Sequence, residues 1–172
     1  MGKDFIFRNY VWIAVAGEVS AIAVIFASTS PDRVVPMGTT LGAVLGFCFI
    51  VQKQKLEELR LFRDLFTDFN CRYDEMNEKL ENILTGNQIE DSKLRKTLVD
   101  YFNLCAEEYL FYDEGFIHRA AWRSWCLGML YYLKDERIRK IWDDEVGRDS
   151  YYGLTLGVVQ KGAHLPGNSP RA

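Results

Sequence analysis

Histidine is scarce in this sequence, at two residues, and the four cysteines are scattered. Cys48, Cys71, Cys105 and Cys126 include no C-x-x-C pair, so neither a zinc ribbon nor a thioredoxin-like redox motif is encoded. In a reducing cytoplasm such thiols serve as small buried hydrophobes, and Cys71, off the main apolar seam, is the one expected to be reachable. A glycine-rich phosphate loop and a G-x-S-x-G nucleophile elbow are both missing, which removes the commonest grounds for a nucleotide or acyl-transfer site. Excess positive charge is missing too: 21 Lys+Arg stand against 24 Asp+Glu, a formal charge of -3. That balance excludes a nucleic-acid binder held by bulk basicity, because phosphate neutralisation needs a concentrated cationic surface.

What the chain does have is apolar sequence in long blocks. Of its 172 residues 48% are hydrophobic, enough to support a core and exclude disorder, yet the mean hydropathy is only -0.14. The average conceals two compositions. Residues 10–28 hold one charge, Glu18, and residues 34–52 hold none. Each stretch reaches the length a helix rising about 1.5 Å per residue needs to cross roughly 30 Å of hydrocarbon. Glu18 within the first stretch and Ile25-Phe26-Ala27 at its end argue against a cleaved signal peptide. The pair reads as a transmembrane hairpin over 10–52, in preference to a signal or a soluble core helix.

Flanking cations orient the hairpin. Lys3 and Arg8 precede the first span, Lys53, Lys55, Arg60 and Arg63 follow the second, and Arg33 stands alone among the cations of the turn. The positive-inside bias therefore expects a multi-pass protein of a bacterial inner membrane, with residues 1–9 and everything from 53 onward in the cytoplasm.

The hairpin carries candidates of its own. Gly38, Gly42 and Gly46 recur every four residues, and Ala14 and Ala21 share a helical face with Glu18. Small residues let backbones approach closely in lipid, so these five are expected to pack the hairpin or, failing that, to form a dimer contact. Counted from Arg8 at about 1.5 Å per residue, Glu18 lies roughly 15 Å deep, level with about Val44, where a charge costs about 2.5–3.5 kcal/mol. It either meets another copy or lines a polar path, or it is a protonated, tolerated carboxyl.

Residues 53–149 read as a helical module. From 54 to 84 there is no Pro or Gly, and Leu59, Phe62, Phe66, Phe69, Tyr73, Met76, Leu80 and Ile83 follow one another in alternating steps of three and four. That heptad pattern predicts a helix of about 45 Å. Its aromatic seam suits bundle packing better than a lone coiled coil. A cap at Asp91 or Ser92 opens a second helix through Leu94, Tyr101 and Tyr109, broken at Asp113-Glu114-Gly115. Two shorter helices follow, near 117–134 and 137–146. Glycines and then Pro166, Gly167 and Pro170 predict an irregular tail over 150–172. The fold class expected is all-α: an N-terminal hairpin, a long amphipathic helix and a small cytoplasmic bundle.

Chemistry is harder to find. Glu114 and His118 are four apart, but Gly115 between them and the lack of a second pair predict no metal site. Asn103, Glu107 and Glu108 form a polar cluster beside an aromatic face, expected to be a bundle rim or a buried hydrogen-bonding group. An enzyme would have to use these three with His118 as acid and base. The run Lys134, Arg137, Arg139 and Lys140 is interleaved with acids and reads as a solvated face. No catalytic residue, cofactor or small-molecule substrate is assigned.

The segments LFTDFNCRYDEMNEKL, DYFNLCAEEYLFYDEGFI, AWRSW and DSYYG resemble a bacterial membrane protein family with two N-terminal transmembrane helices and a helical cytoplasmic region, a domain of unknown function. The likeness covers about residues 61–153, and a looser one is to phage abortive-infection proteins of the same layout. The family implies the layout and no catalytic residues. The function expected is a membrane-anchored, non-enzymatic helical interaction or sensor module, with phage defence as an extension. Its partners would be the lipid bilayer and a protein or second copy, and not nucleic acid. A structural subunit of a larger membrane complex is the alternative, and an enzyme the less favoured one.

Overall fold

The computed structural model describes residues 2–27, 34–86, 92–147 and 151–166. Among these the chain is all-helical: α1 Gly2–Ala27, α2 Val34–Thr85, α3 Ser92–Asp113, α4 Arg119–Tyr132, α5 Glu136–Val146 and α6 Leu156–Ala163. The turn at 28–33 and the Asp91 cap lie outside the described residues. Two compact units divide the chain, Met1–Arg60 and Leu61–Ala172.

In the first unit, α1 is helical because an apolar run with few charges satisfies its backbone groups internally. Of the two spans expected from the sequence, one is a candidate among the described residues on length and composition, Asn9–Ala27. The stretch 34–52 is the opening part of the 52-residue α2 rather than a separate element, and it exposes Met37, Leu41, Leu45, Phe47, Phe49 and Ile50. Gln52 Nε2 donates to the Tyr10 hydroxyl at 3.4 Å, and Lys55 Nζ lies 4.4 Å from the centre of the Tyr10 ring. The chain thus returns on itself over 42 residues.

The expected small-residue ridge does not make this contact. A Cβ added at Gly38, Gly42 or Gly46 meets open space. Ala14 is buried with Ile25 and Val51, whereas Ala21 is half-buried. Tyr10, Gln52 and Lys55 bridge with long side chains, which does not require the close backbone approach that glycines permit.

The second unit is an aromatic-rich bundle. On α2 the heptad seam turns inward at Phe69, Leu80 and Ile83, with Phe62, Leu65, Tyr73 and Met76 packed beside them. Phe66 stays partly exposed and stacks on Trp125 with centroids 5.8 Å apart. The seam therefore meets other helices of its own unit. Gly115, at φ +82, turns the chain out of α3, where a side chain would be strained. From α3 come buried Leu98, Tyr101, Phe102, Leu104 and Cys105, and from α4 come Trp122, Cys126 and Met129. Helical spacing puts each set on one face. On α5, Trp142 meets Phe102 edge-on at 5.0 Å, a favoured aromatic geometry.

The tail differs from the expectation of irregular chain over 150–172. α6 forms within it, its start capped by the Thr155 hydroxyl, which accepts from the Val158 amide at 3.4 Å. Val159, Gly162 and Ala163 are buried. At Gly162 an added Cβ would collide with Cys126 Sγ and come within 2.6 Å of Trp122 Nε1. Glycine costs about 1 kcal/mol in a helix, but here it admits the backbone of α6 directly onto α4, and burial outweighs the propensity.

Candidate functional site

Within the second unit several of the polar residues that do not face solvent gather along one seam. On α3, Tyr101, Cys105 and Glu108 recur at steps of four and three, so one face carries all three inward. Glu108 is only 5% exposed. Glu107, one residue back and about 100° around the helix, stands at the rim. There Arg72 Nη1 and Nη2 donate to its two carboxylate oxygens at 2.6 and 3.2 Å. The pair is bidentate, and Asp68 adds a weaker contact to Arg72 at 3.6 Å. Both partners are a little over one-third exposed, so the fork contributes orientation more than energy.

Burial lifts the Glu108 carboxyl to about 8, with the Arg72 cation pulling the other way and the charge of Glu107 adding to the rise. Burial likewise pushes the Cys105 thiol well up, reinforced by Glu108. It takes Cys126 to about 12 for the same two reasons. Tyr101 is raised well above 10 by burial, then by Cys105 and Glu108. The seam is a cluster of protonated groups near neutrality. Thiols in this state are poor nucleophiles and poor metal ligands, since the thiolate does both jobs. Among the described residues no three His, Cys, Asp or Glu side chains converge as a metal site.

A hydroxyl network continues the seam. Tyr73 and Tyr132 bring their hydroxyl oxygens within 2.9 Å. Tyr73 donates to Asn77 Oδ1 at 3.1 Å, and Tyr132 has Asn77 Oδ1 and Glu81 Oε1 each at 3.3 Å. Each hydroxyl has one proton to donate, and the Asn77 amide oxygen, the Glu81 carboxylate and the partner hydroxyl oxygen are the acceptors within reach, a connected set whose members reinforce one another. Burial, the bond to Tyr73 and the nearby Glu81 raise Tyr132 above the usual phenol range.

Of the residues singled out in the sequence, Glu107 and Glu108 fall at this seam, but Asn103 is exposed. His118 is also exposed, at the N-cap of α4 without a side-chain cap bond, its ring 4.1 Å from that of Phe62. Arg72, Tyr73, Asn77, Glu81 and Tyr132 were not singled out as polar partners. The spacing of Tyr73, Asn77 and Glu81 at i, i+4 and i+8 was the available signal. The basic run is partly committed to structure. Arg137 binds Asp135 Oδ2 at 2.6 Å and the Gly86 carbonyl oxygen at 2.8 Å, and Arg139 pairs with Asp143 at 3.1 Å. The hydrogen bond from Arg137 holds the Asp135 carboxyl below its usual range. Arg95, on α3, reaches the nearly buried Glu145 of α5 at 2.6 Å.

In the first unit Glu18 is half-buried. Its Oε2 is enclosed and has no hydrogen-bond partner among the described residues. No protein-family model, curated protein or solved structure matches this chain.

Proposed function

We propose that this chain is a membrane-anchored, non-enzymatic helical interaction module of the bacterial inner membrane. In this reading residues 10–28 and 34–52 cross the bilayer as a hairpin with both termini cytoplasmic. The bundle from residue 53 onward then serves as a docking surface for a protein or a second copy. The observation that carries it is the outward apolar face of the first unit, where Trp12 is 74% exposed, Val24 70% and Phe49 68%. Large apolar side chains exposed to that degree belong in lipid or in an interface rather than in water. The polar groups of the second unit support a binding role over a catalytic one: they are tied to each other, and Glu108 is buried while Asn103 and His118 are exposed.

Membrane fractionation with a carbonate wash tests the anchor, and reporter fusions after residue 172 and within 28–33 test topology. A washed membrane pellet with a cytoplasmic C-terminus and an external turn is expected. Recovery in the wash supernatant overturns the reading. Affinity purification in mild detergent followed by mass spectrometry then names the partner. Phage defence is the extension, motivated by layout; equal plating of a phage panel on expressing and non-expressing cells counts against it. The enclosed Glu18 Oε2 favours a second reading, a structural subunit whose hairpin meets another membrane protein. An unchanged oligomer and partner set in Glu18→Leu removes it.

A further inference from the structure

Arg72 acts on two carboxyl groups that are neighbours in sequence. Its Nη1 and Nη2 donate to Glu107 at 2.6 and 3.2 Å, with Asp68 at 3.6 Å. Glu108, the next residue of α3, is 5% exposed, and Arg72 is the cation whose charge reaches it. Glu107 is the anion beside it. The other titratable groups facing Glu108 are held neutral: Tyr101 and Cys105 on its own helix and Cys126 on α4. Ionised in that setting, Glu108 would be a buried charge whose counter-ion is already engaged at the rim, a costly arrangement. The proton on Glu108 is what lets Arg72 stay on Glu107.

We propose that Arg72 is a latch shared by Glu107 and Glu108: it stays on Glu107 while Glu108 is protonated and turns inward to Glu108 when that proton is lost. The two carboxyls project about 100° apart on α3, so the guanidinium changes berth by rotation of its long side chain. Turning inward exchanges a fork that is a little over one-third exposed for a pair in a drier setting, where charge-assisted bonds are stronger. At the rim, Glu107 and Asp68, whose side chain is 62% exposed, then lose their cation. A proton given up in the core is thereby reported on the surface as two uncovered carboxylates. The exchange belongs to the mildly alkaline range, since burial lifts the Glu108 carboxyl to about 8. It stands on the second unit alone and does not rest on the membrane reading.

Double-mutant cycles on the full chain in mild detergent test the latch, with melting temperature read at pH 6 and at pH 9.5. At pH 6 Arg72→Gln and Glu107→Gln should be non-additive by roughly 2–4 °C, the worth of a partly exposed fork. At pH 9.5 the two changes should become additive, because Arg72 has left Glu107. In a Glu108→Gln background the coupling should be the same at both pH values. Glu108→Met, which also carries no charge, repeats that arm should the amide unsettle the core. Coupling that persists at pH 9.5 in the chain with Glu108 intact overturns the proposal. So does coupling lost at pH 9.5 in either Glu108 variant, which would place the cause in another group.

Discussion

Arg137 donates through Nη1 to the carbonyl oxygen of Gly86 at 2.8 Å, tying the first turn of α5 to the end of α2. The last carbonyls of a helix lack internal partners, and a cation there satisfies them and opposes the negative end of the helix dipole. Asp135 fixes the guanidinium through both of its oxygens. Replacing Arg137 with Gln should speed amide exchange across the last turn of α2, read by hydrogen–deuterium exchange. Lysine should not restore protection, because a point ammonium lacks the planar fork. Unchanged exchange in both variants would remove the capping role.

Gly162 sets how closely α6 approaches α4. Alanine there would force its Cβ into Cys126 Sγ and to within 2.6 Å of Trp122 Nε1. Overpacking of this kind costs about 1–3 kcal/mol, a drop of roughly 4–12 °C in melting temperature for a unit of this size. Thermal denaturation followed by circular dichroism checks it. Gly157, whose added Cβ meets nothing closer than the Thr155 hydroxyl at 3.8 Å, serves as the control, and alanine there should not lower the melting temperature.

Glu108 makes stability depend on pH in a defined direction. Its carboxyl ionises near 4.5 in the unfolded chain and near 8 in the folded one, so the folded state holds the proton longer. Its contribution is whole below the unfolded value. Stability then falls by up to about 1.4 kcal/mol per pH unit as pH rises toward the folded value. Glu108→Gln keeps the shape without the titration. Its melting temperature should change less between pH 5 and 8 than that of the unaltered chain, and at pH 8 the variant should be the more stable of the two. Parallel pH profiles would show that Glu108 is solvated.

The tyrosine pair invites a double-mutant cycle. Tyr73→Phe and Tyr132→Phe each remove one hydroxyl from the 2.9 Å contact and from Asn77. Each single change should cost about 1 kcal/mol, the net worth of a buried hydrogen bond. The double variant should cost less than the sum, by roughly 0.5–1 kcal/mol of coupling. Chemical denaturation of the four chains measures it, and strict additivity would mean the hydroxyls act independently.

Legibility followed distance along the chain. The heptad of α2, the break at Gly115 and the extents of α3, α4 and α5 were readable because capping, turn chemistry and helical period are local signals. α6 was not: two glycines in eight residues, Gly157 and Gly162, spoke for irregular chain, and only the surface of α4 explains why Gly162 belongs in a helix. The same division runs through the candidate site. Glu107 and Glu108 stood out by sequence, yet Arg72 is 35 residues from Glu107 and Tyr132 is 59 from Tyr73. Nothing local announces such partners. The heptad marks Tyr73 for its ring, which lies in the seam, and carries no sign of where its hydroxyl points. The glycine ridge stands open within the chain, since a spacing rule permits close approach without requiring it.

The four cysteines sit at three depths. Cys105 and Cys126 are buried and held as thiols, Cys48 is half-covered within the apolar stretch, and Cys71 faces outward on α2. The protein therefore comes with a single addressable handle of its own. A polar maleimide dye or spin label will take Cys71 first, six residues before Asn77 on α2, and report changes there without any residue being replaced.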